Sequence, residues 1–167
     1  MPNTFTKIAS VSVGSGGAAT MAFTSIPSTY TDLCLKISAR STTTSDWVTL
    51  SFNSNTTGYT NKHLQGSGSA ASSFNQTTYQ FLAINNQSAS TASTFSSSDV
   101  YIPNYAGSTN KSYSVDTAGE ANATAAFMEL NAQLWSNTAA ITSITLTSLA
   151  GNMAQYSTAT LYGISKT

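Results

Sequence analysis

His63 is the single histidine of the chain, and hydrolysis by a Ser-His-Asp arrangement would have to use it as the general base. The stretch 59–64 around it is polar, and the sequence contains no Gly-x-Ser-x-Gly elbow. We therefore predict that His63 is a solvated strand residue without a catalytic role. Paired carboxylates could cleave a glycosidic bond, and Asp116 and Glu120 are the closest pair that we find in the sequence. We predict that both lie in a solvated loop.

Metal and cofactor chemistry find equally little support in the sequence. A closed zinc site needs several Cys or His ligands, and the chain has one of each, Cys34 and His63. A calcium site built from Asn and backbone oxygens remains an alternative. We therefore predict no enzymatic activity, no metal site and no cofactor. Cys34 itself is interpreted as a small buried hydrophobe, because free cysteines are among the most buried residues.

Two glycine-rich strings match the alanine-ended form of the dinucleotide-binding fingerprint. They are Gly14-Ser15-Gly16-Gly17-Ala18-Ala19 and Gly66-Ser67-Gly68-Ser69-Ala70-Ala71. That fingerprint needs a following helix whose N-terminus holds the pyrophosphate, and neither string is followed by a helical pattern. We predict a turn or hairpin at both.

The composition narrows the class of protein further. Fifty-five of the 167 residues are Ser or Thr, whereas six basic residues balance six acidic ones. Ordinary soluble domains devote about a quarter of their residues to charged types. Nucleic-acid binding requires clustered Lys and Arg, and here they are scattered, so we predict no nucleic-acid partner. A neutral surface has little long-range repulsion between copies, which favours self-association.

The elements that must position any site read as short β-strands. Leu33, Leu35, Ile37 and Ala39 alternate with polar residues, as do Val48, Leu50 and Phe52, and as do Ile144 and Leu146. Ala121–Leu134 fits a strand better than a helix, although Phe127, Leu130 and Leu134 have helical spacing. Ser/Asn/Gly clusters at 53–58, 66–73, 85–98, 104–110 and 148–152 are predicted to be turns and loops.

Eight to eleven strands without a long helix predict an all-β fold, a single-domain antiparallel β-sandwich of jelly-roll type. We expect residues 1–12 to form an N-terminal arm or first strand and residues 13–167 to form the sandwich. No stretch approaches the ~20 apolar residues of a membrane span, and no signal-peptide pattern is present. We therefore predict no membrane partner and synthesis in a cytoplasm.

Aromatic side chains are the remaining candidates for a binding role. Their faces stack on sugar rings, and amide side chains can bond the hydroxyl groups. The possible ligand or subunit contacts are Trp47, Tyr59, Tyr105 and Trp135, and packing in the core is the alternative for each.

Five segments together resemble a known family. They are VGSGGA (13–18), FTSIPSTYTDLCLKISAR (23–40), VYIPNYAGSTNKSYS (100–114), LWSNTAAITSITLTSLAGN (134–152) and YSTATLYGIS (156–165). This layout resembles small virion structural proteins and tail-fibre modules of tailed bacteriophages, and residues 53–98 match least. The resemblance implies a β-sandwich of jelly-roll type, and it carries no active-site residues with it.

The resemblance implies a location on the virion and one of two roles. The first is a capsid decoration, or cement, protein that stabilises the head shell through non-covalent contacts. Its partners would be further copies, expected as a trimer at a three-fold position, and the major capsid protein or another virion protein. The second is a tail-fibre or tail-tip protein that recognises host-surface polysaccharide. We expect the first, because no coiled-coil shaft precedes the sandwich.

Overall fold

The alternating pattern is realised as twelve β-strands in the residues that the computed structural model describes, which are 4–44, 47–77, 81–84, 86–122 and 126–165. The strands are β1 (Phe5–Ser12), β2 (Thr20–Phe23), β3 (Asp32–Ala39), β4 (Trp47–Phe52), β5 (Tyr59–Gly66), β6 (Ala71–Gln76), β7 (Phe81–Ile84), β8 (Ser96–Ile102), β9 (Lys111–Gly119), β10 (Phe127–Trp135), β11 (Ile144–Ser148) and β12 (Thr158–Ile164).

The strands form two antiparallel sheets. The larger has the order β1-β12-β3-β8-β9-β10-β5-β6, and the smaller has the order β2-β11-β4-β7. When the hairpins β5–β6 and β9–β10 are set aside, eight strands remain. Numbered along the chain, their orders are 1-8-3-6 and 2-7-4-5. This is the strand order of a jelly roll, so the predicted all-β sandwich is confirmed.

The two additional hairpins extend one sheet of the jelly roll sideways. The β9–β10 hairpin pairs with β8 through β9, and the β5–β6 hairpin pairs with β10 through β5. We call β9, β10, β5 and β6 the extension. Both of its hairpins are inserted into loops of the eight-stranded frame, one between β4 and β7 and the other between β8 and β11.

The core lies between the two sheets and contains the residues that alternation predicts. Leu33, Leu35 and Ile37 on β3 are buried, as are Leu50 and Phe52 on β4. At one end of the core, three aromatic rings pack around Phe52. They belong to Tyr59, Tyr113 and Trp135, and their centroids lie 5.2 to 6.1 Å from that of Phe52. The apolar periodicity of 2 therefore specifies most of this core.

Some predicted elements differ from the observed ones. Residues 127–135 form a strand, as predicted, but residues 71–76 are also a strand rather than part of a loop, and β8 begins at Ser96 inside another predicted loop. Serine-rich strands escape a search for apolar alternation because their inward residues are themselves hydroxyls: Ser96 and Ser98 are buried. Tyr79, Phe81 and Ala83 alternate with other residues in the sequence, which also predicts a strand; residues 81–84 form β7, whereas Tyr79 lies outside the described residues.

Segments that carry the family resemblance meet at one corner of the sandwich. The ring of Tyr30 packs directly over Gly163, so that a Cβ added at Gly163 would overlap it. The Tyr105 hydroxyl donates a hydrogen bond to the Pro27 carbonyl. The Asp32 carboxylate makes the third contact, by accepting hydrogen bonds from Tyr101 and Asn104. These contacts join residues 26–33, 100–107 and 161–164, so these segments specify the fold at this corner.

The carboxylate of Asp32 ties two strands and a turn together. Its Oδ2 accepts a hydrogen bond of 2.7 Å from the Tyr101 hydroxyl, and its Oδ1 accepts one of 2.8 Å from the backbone N–H of Asn104. The bond to Asp32 raises the pKa of Tyr101. Asn104 has a φ of 49°, which Asn tolerates better than most residues.

Candidate interaction surface

The two faces of the eight-stranded sheet exchange polarity between β9 and β10. One row of cross-strand partners on the outward face consists of Lys36, Asp99, Asp116, Leu130 and Leu64. The adjacent row points inward and consists of Leu35, Val100, Val115, Asn131 and His63. Within the jelly-roll frame the inward row is apolar, as a core requires. On β10 and β5, Leu130 and Leu64 point outward, and Asn131 and His63 point inward.

The inward side of the extension is a buried polar cluster around Glu129. Its Oε1 accepts a hydrogen bond of 2.9 Å from Gln65, and its Oε2 accepts one of 3.3 Å from Asn131. The Nδ1 of His63 lies 3.7 Å from Oε2, and both side chains are fully buried. The imidazole also stacks on Phe74, with ring centroids 4.5 Å apart. A buried carboxyl group is tolerated when its oxygens accept hydrogen bonds in this way.

The outward side of the extension exposes large apolar side chains. Leu64 is 54% exposed, Leu130 52% and Met128 69%. They line a groove of about 690 Å³ together with Ala118 and the carboxylates of Asp99 and Asp116. Clustered apolar side chains at the surface of a soluble domain mark an interaction site more often than they serve stability. We call this feature the outer groove.

Two carboxylates lie side by side at one wall of the outer groove. Asp99 and Asp116 are direct cross-strand partners, a geometry that places the Cβ atoms about 5 Å apart. The Nζ of Lys36 lies 2.6 Å from Asp99, and this bond raises the pKa of Lys36. Asp116 has no ion-pair partner among the described residues. The groove therefore combines an apolar floor with a wall that attracts a cation.

The environment of this acid pair differs from that of a glycosidase dyad, in which one carboxyl group acts as a general acid. A general acid must keep its proton near neutral pH, which burial in an apolar site achieves. Asp116 is exposed, and Asp99 is bound to a lysine. The floor consists of leucine, methionine and alanine, which offer a sugar ring no hydrogen bonds. The groove suits an apolar, positively charged occupant better.

The four aromatic candidates do not line the outer groove. Tyr59, Tyr105 and Trp135 are buried in the core, and Trp47 is half-buried beside His63, with ring centroids 6.3 Å apart. Packing, the alternative given for each residue, accounts for the three buried rings. Burial also raises the pKa of Tyr59 to about 12. The structure does not bring these four side chains together at one surface.

The prediction that His63 is solvated is wrong, because Glu129, Asn131 and Phe74 enclose it. The prediction of a solvated loop is wrong for Asp116, which lies on β9 because its neighbours pair with β8 and β10, although its side chain is exposed. Glu120 follows that strand and is exposed, as predicted. Cys34 is buried, as predicted, and burial raises the pKa of its thiol.

The two glycine-rich strings form turns, as predicted. The first lies between β1 and β2, where Gly16 and Gly17 have φ values of 93° and 75°. The second is the turn of the β5–β6 hairpin, closed by a 2.9 Å hydrogen bond from the Ser67 N–H to the Ala70 carbonyl. Neither string precedes a helix in the described part of the chain.

The comparisons with known proteins add no identity. No family model matches the sequence, and neither a curated protein nor a solved structure matches it. Across the described ranges no helix is long and apolar enough to cross a membrane. Those same ranges contain no cluster of three or more His, Cys, Asp or Glu side chains that could hold a metal ion.

Proposed function

We propose that this protein is a structural component of a bacteriophage virion, a capsid decoration protein that stabilises the head shell through non-covalent contacts. The observation that carries the proposal is the outer groove: a jelly-roll domain has extended one sheet and turned the apolar side of the extension toward solvent. Such a surface gains stability when a neighbouring protein covers it, at about 25 cal/mol per Å² of apolar surface buried. The resemblance of five segments to virion structural proteins supplies the context.

The composition supports a role in contact rather than in reaction. Few charged groups are available for proton transfer, and of the two carboxylates that come together Asp116 is exposed and Asp99 is half-buried. We therefore propose that the protein is not an enzyme, that it needs no cofactor, and that its partners are copies of itself and the major capsid protein or another virion protein. Nucleic acid and membranes are not among the proposed partners.

The burial of Tyr59, Tyr105 and Trp135 favours this role over sugar recognition at a tail tip. A polysaccharide site requires aromatic faces open to solvent, and three of the four candidate rings are enclosed by the core. Trp47 is half-buried and is the one candidate that a glycan could reach without a rearrangement. Trp47→Ala is therefore the variant that tests the tail-tip alternative, by adsorption to host cells.

Electron microscopy of intact particles, with the protein labelled, tests the proposal directly. We expect the label on the head shell at symmetric positions. We also expect that particles lacking the protein lose heat tolerance, and that adding back the wild-type protein restores it while Leu64→Lys does not. A label confined to the tail, or unchanged heat tolerance without the protein, would refute the decoration role.

A further inference from the structure

The shape and charge of the outer groove define what it can hold. The groove is concave and apolar, so its occupant must be a convex apolar group. The exposed carboxylate of Asp116 at its wall calls for a cation beside that group. A second copy of this chain can supply both the apolar group and the cation. Because the chain has few charged residues, only a small number of its cations are free.

Most basic residues in the described part of the chain are already engaged. Lys36 is bound to Asp99, and Lys111 is buried, with its Nζ donating to the Gly107 carbonyl at 2.7 Å. The guanidinium of Arg40 bonds four backbone carbonyls of the loop between β7 and β8 at 2.9 to 3.3 Å. Lys7 and Lys62 are exposed and have no ion-pair partner among the described residues.

Lys7 differs from Lys62 in that it lies next to an exposed aromatic ring. Phe5 is 54% exposed and packs edge-on against Tyr162, with ring centroids 6.3 Å apart. Phe5 and Lys7 are two residues apart on β1, so their side chains share one face about 7 Å apart. Asp116 and Leu130 are cross-strand partners about 5 Å apart in the groove. The two spacings allow the lysine to reach the carboxylate while the ring covers the leucines.

We infer that Phe5 and Lys7 of one copy occupy the outer groove of the next copy, with Lys7 against Asp116 and Phe5 against Leu64 and Leu130. β1 is one edge of the eight-stranded sheet and the extension is the other, so the contact is head-to-tail. Head-to-tail contacts form a ring when the rotation between copies closes and an open filament when it does not. A ring of three copies is the closed form expected at a three-fold position. The inference rests on the proposed role of the groove as a contact surface.

A symmetric contact between two grooves fits less well. Lys62 lies on the outward face of β5, opposite Ala132, and could pair with Asp116 of a facing copy. That arrangement would place two concave surfaces against each other and leave both apolar floors uncovered. It would also leave Phe5 exposed.

Sedimentation velocity of the purified full chain over a range of concentrations tests the inference. We expect a closed oligomer for the wild type. Lys7→Glu, Phe5→Ser and Leu64→Lys each weaken association at least tenfold, and the charge swap Lys7→Glu with Asp116→Lys restores it. Thr60→Lys places the same new residue on the same exposed face of β5, four residues from Leu64, and leaves association unchanged, as does Lys62→Glu.

A mixing experiment separates head-to-tail from symmetric contact. A copy with Phe5→Ser and Lys7→Glu retains its groove, and a copy with Leu64→Lys retains its β1 end. Mixed together, they should form a one-to-one dimer that grows no further. A wild type that stays monomeric at the highest soluble concentration overturns the inference, and so does loss of association with Lys62→Glu but not with Lys7→Glu. Association in solution and position on the particle are separate measurements, so this inference and the virion role can fail independently.

Discussion

Asp99 on β8 and Asp116 on β9 face each other across the strand boundary, and the cation at this position, Lys36, binds Asp99. Like charges placed directly opposite each other destabilise a sheet. A pair of this kind in a chain with so few charges supports the inference that Asp116 serves an external contact rather than the stability of its own domain.

Asp116→Asn is therefore expected to stabilise the isolated domain by about 0.2–1 kcal/mol, because it removes the repulsion from Asp99. Urea unfolding at a concentration where the protein is monomeric measures this free energy. The gain should shrink at high salt, which screens exposed charges. Asp116→Glu keeps the charge and is the matched control, and an equal gain in that variant would contradict the explanation.

The polarity exchange predicts an inverted pattern of substitutions on β10. Glu129→Ala should cost about 1–3 kcal/mol of unfolding free energy, because Gln65 and Asn131 lose a buried hydrogen-bond acceptor. Leu130→Ala, at an exposed position on the other face, should cost about 0.5 kcal/mol or less. Chemical denaturation of both monomeric variants measures the difference. A larger loss with Leu130→Ala would mean that β10 faces the opposite way.

Alkaline pH should destabilise the protein through Tyr59. Burial raises the pKa of Tyr59 from 10.0 to about 12, so above pH 10 the unfolded state releases a proton that the folded state still holds. The unfolded state then binds fewer protons, and the free energy of unfolding falls as pH rises through this window. Its contribution is fully present below pH 10. Burial also raises the pKa of Tyr113, which adds to the same trend.

Thermal unfolding monitored from pH 9 to pH 12 measures this effect. Tyr59→Phe should flatten the alkaline decline, and it should lower stability at neutral pH by about 1–3 kcal/mol because the N–H of Phe52 loses its buried acceptor. Tyr156→Phe, at an exposed position, should leave the profile unchanged. An unaltered slope in Tyr59→Phe would assign the alkaline transition to other groups.

Gly163→Ala should destabilise the corner where the resemblance segments meet. The added methyl group would overlap the ring of Tyr30, and overpacking of this kind costs about 1–3 kcal/mol. In a Tyr30→Ala background the ring is absent, so the same substitution should cost much less. A double-mutant cycle on unfolding free energies measures the coupling. Additive effects would show that the ring does not limit residue 163.

The frame of the fold could be predicted because its strands obey a simple rule. On β3 and β4 every second residue is apolar, and those residues are the core. A period of 2 specifies two faces, but it does not specify which face is buried. On β10 the apolar set, Met128, Leu130 and Leu134, is the outward one. That assignment depends on the neighbouring strands, which alternation alone cannot provide.

The candidate site was hidden for a related reason. Asp99 and Asp116 belong to different strands, and their pairing follows from register, so the nearest acid pair in sequence, Asp116 and Glu120, is not the pair that forms. The polar neighbours of His63 suggested solvent. Glu129, which encloses it, comes from a strand more than sixty residues further along the chain. The signal that could have found the site is the alternation on β10, where Leu130 and Leu134 alternate with the amides Asn131 and Gln133.

The extension consists of two hairpins that occupy connections between strands of the frame and leave the order of its eight strands unchanged. Each hairpin leaves the eight-stranded frame and returns to it. The strand order of the frame therefore does not depend on the length or sequence of the hairpins. The proposed contact surface can therefore change through substitutions in two hairpins while the eight-stranded frame stays the same.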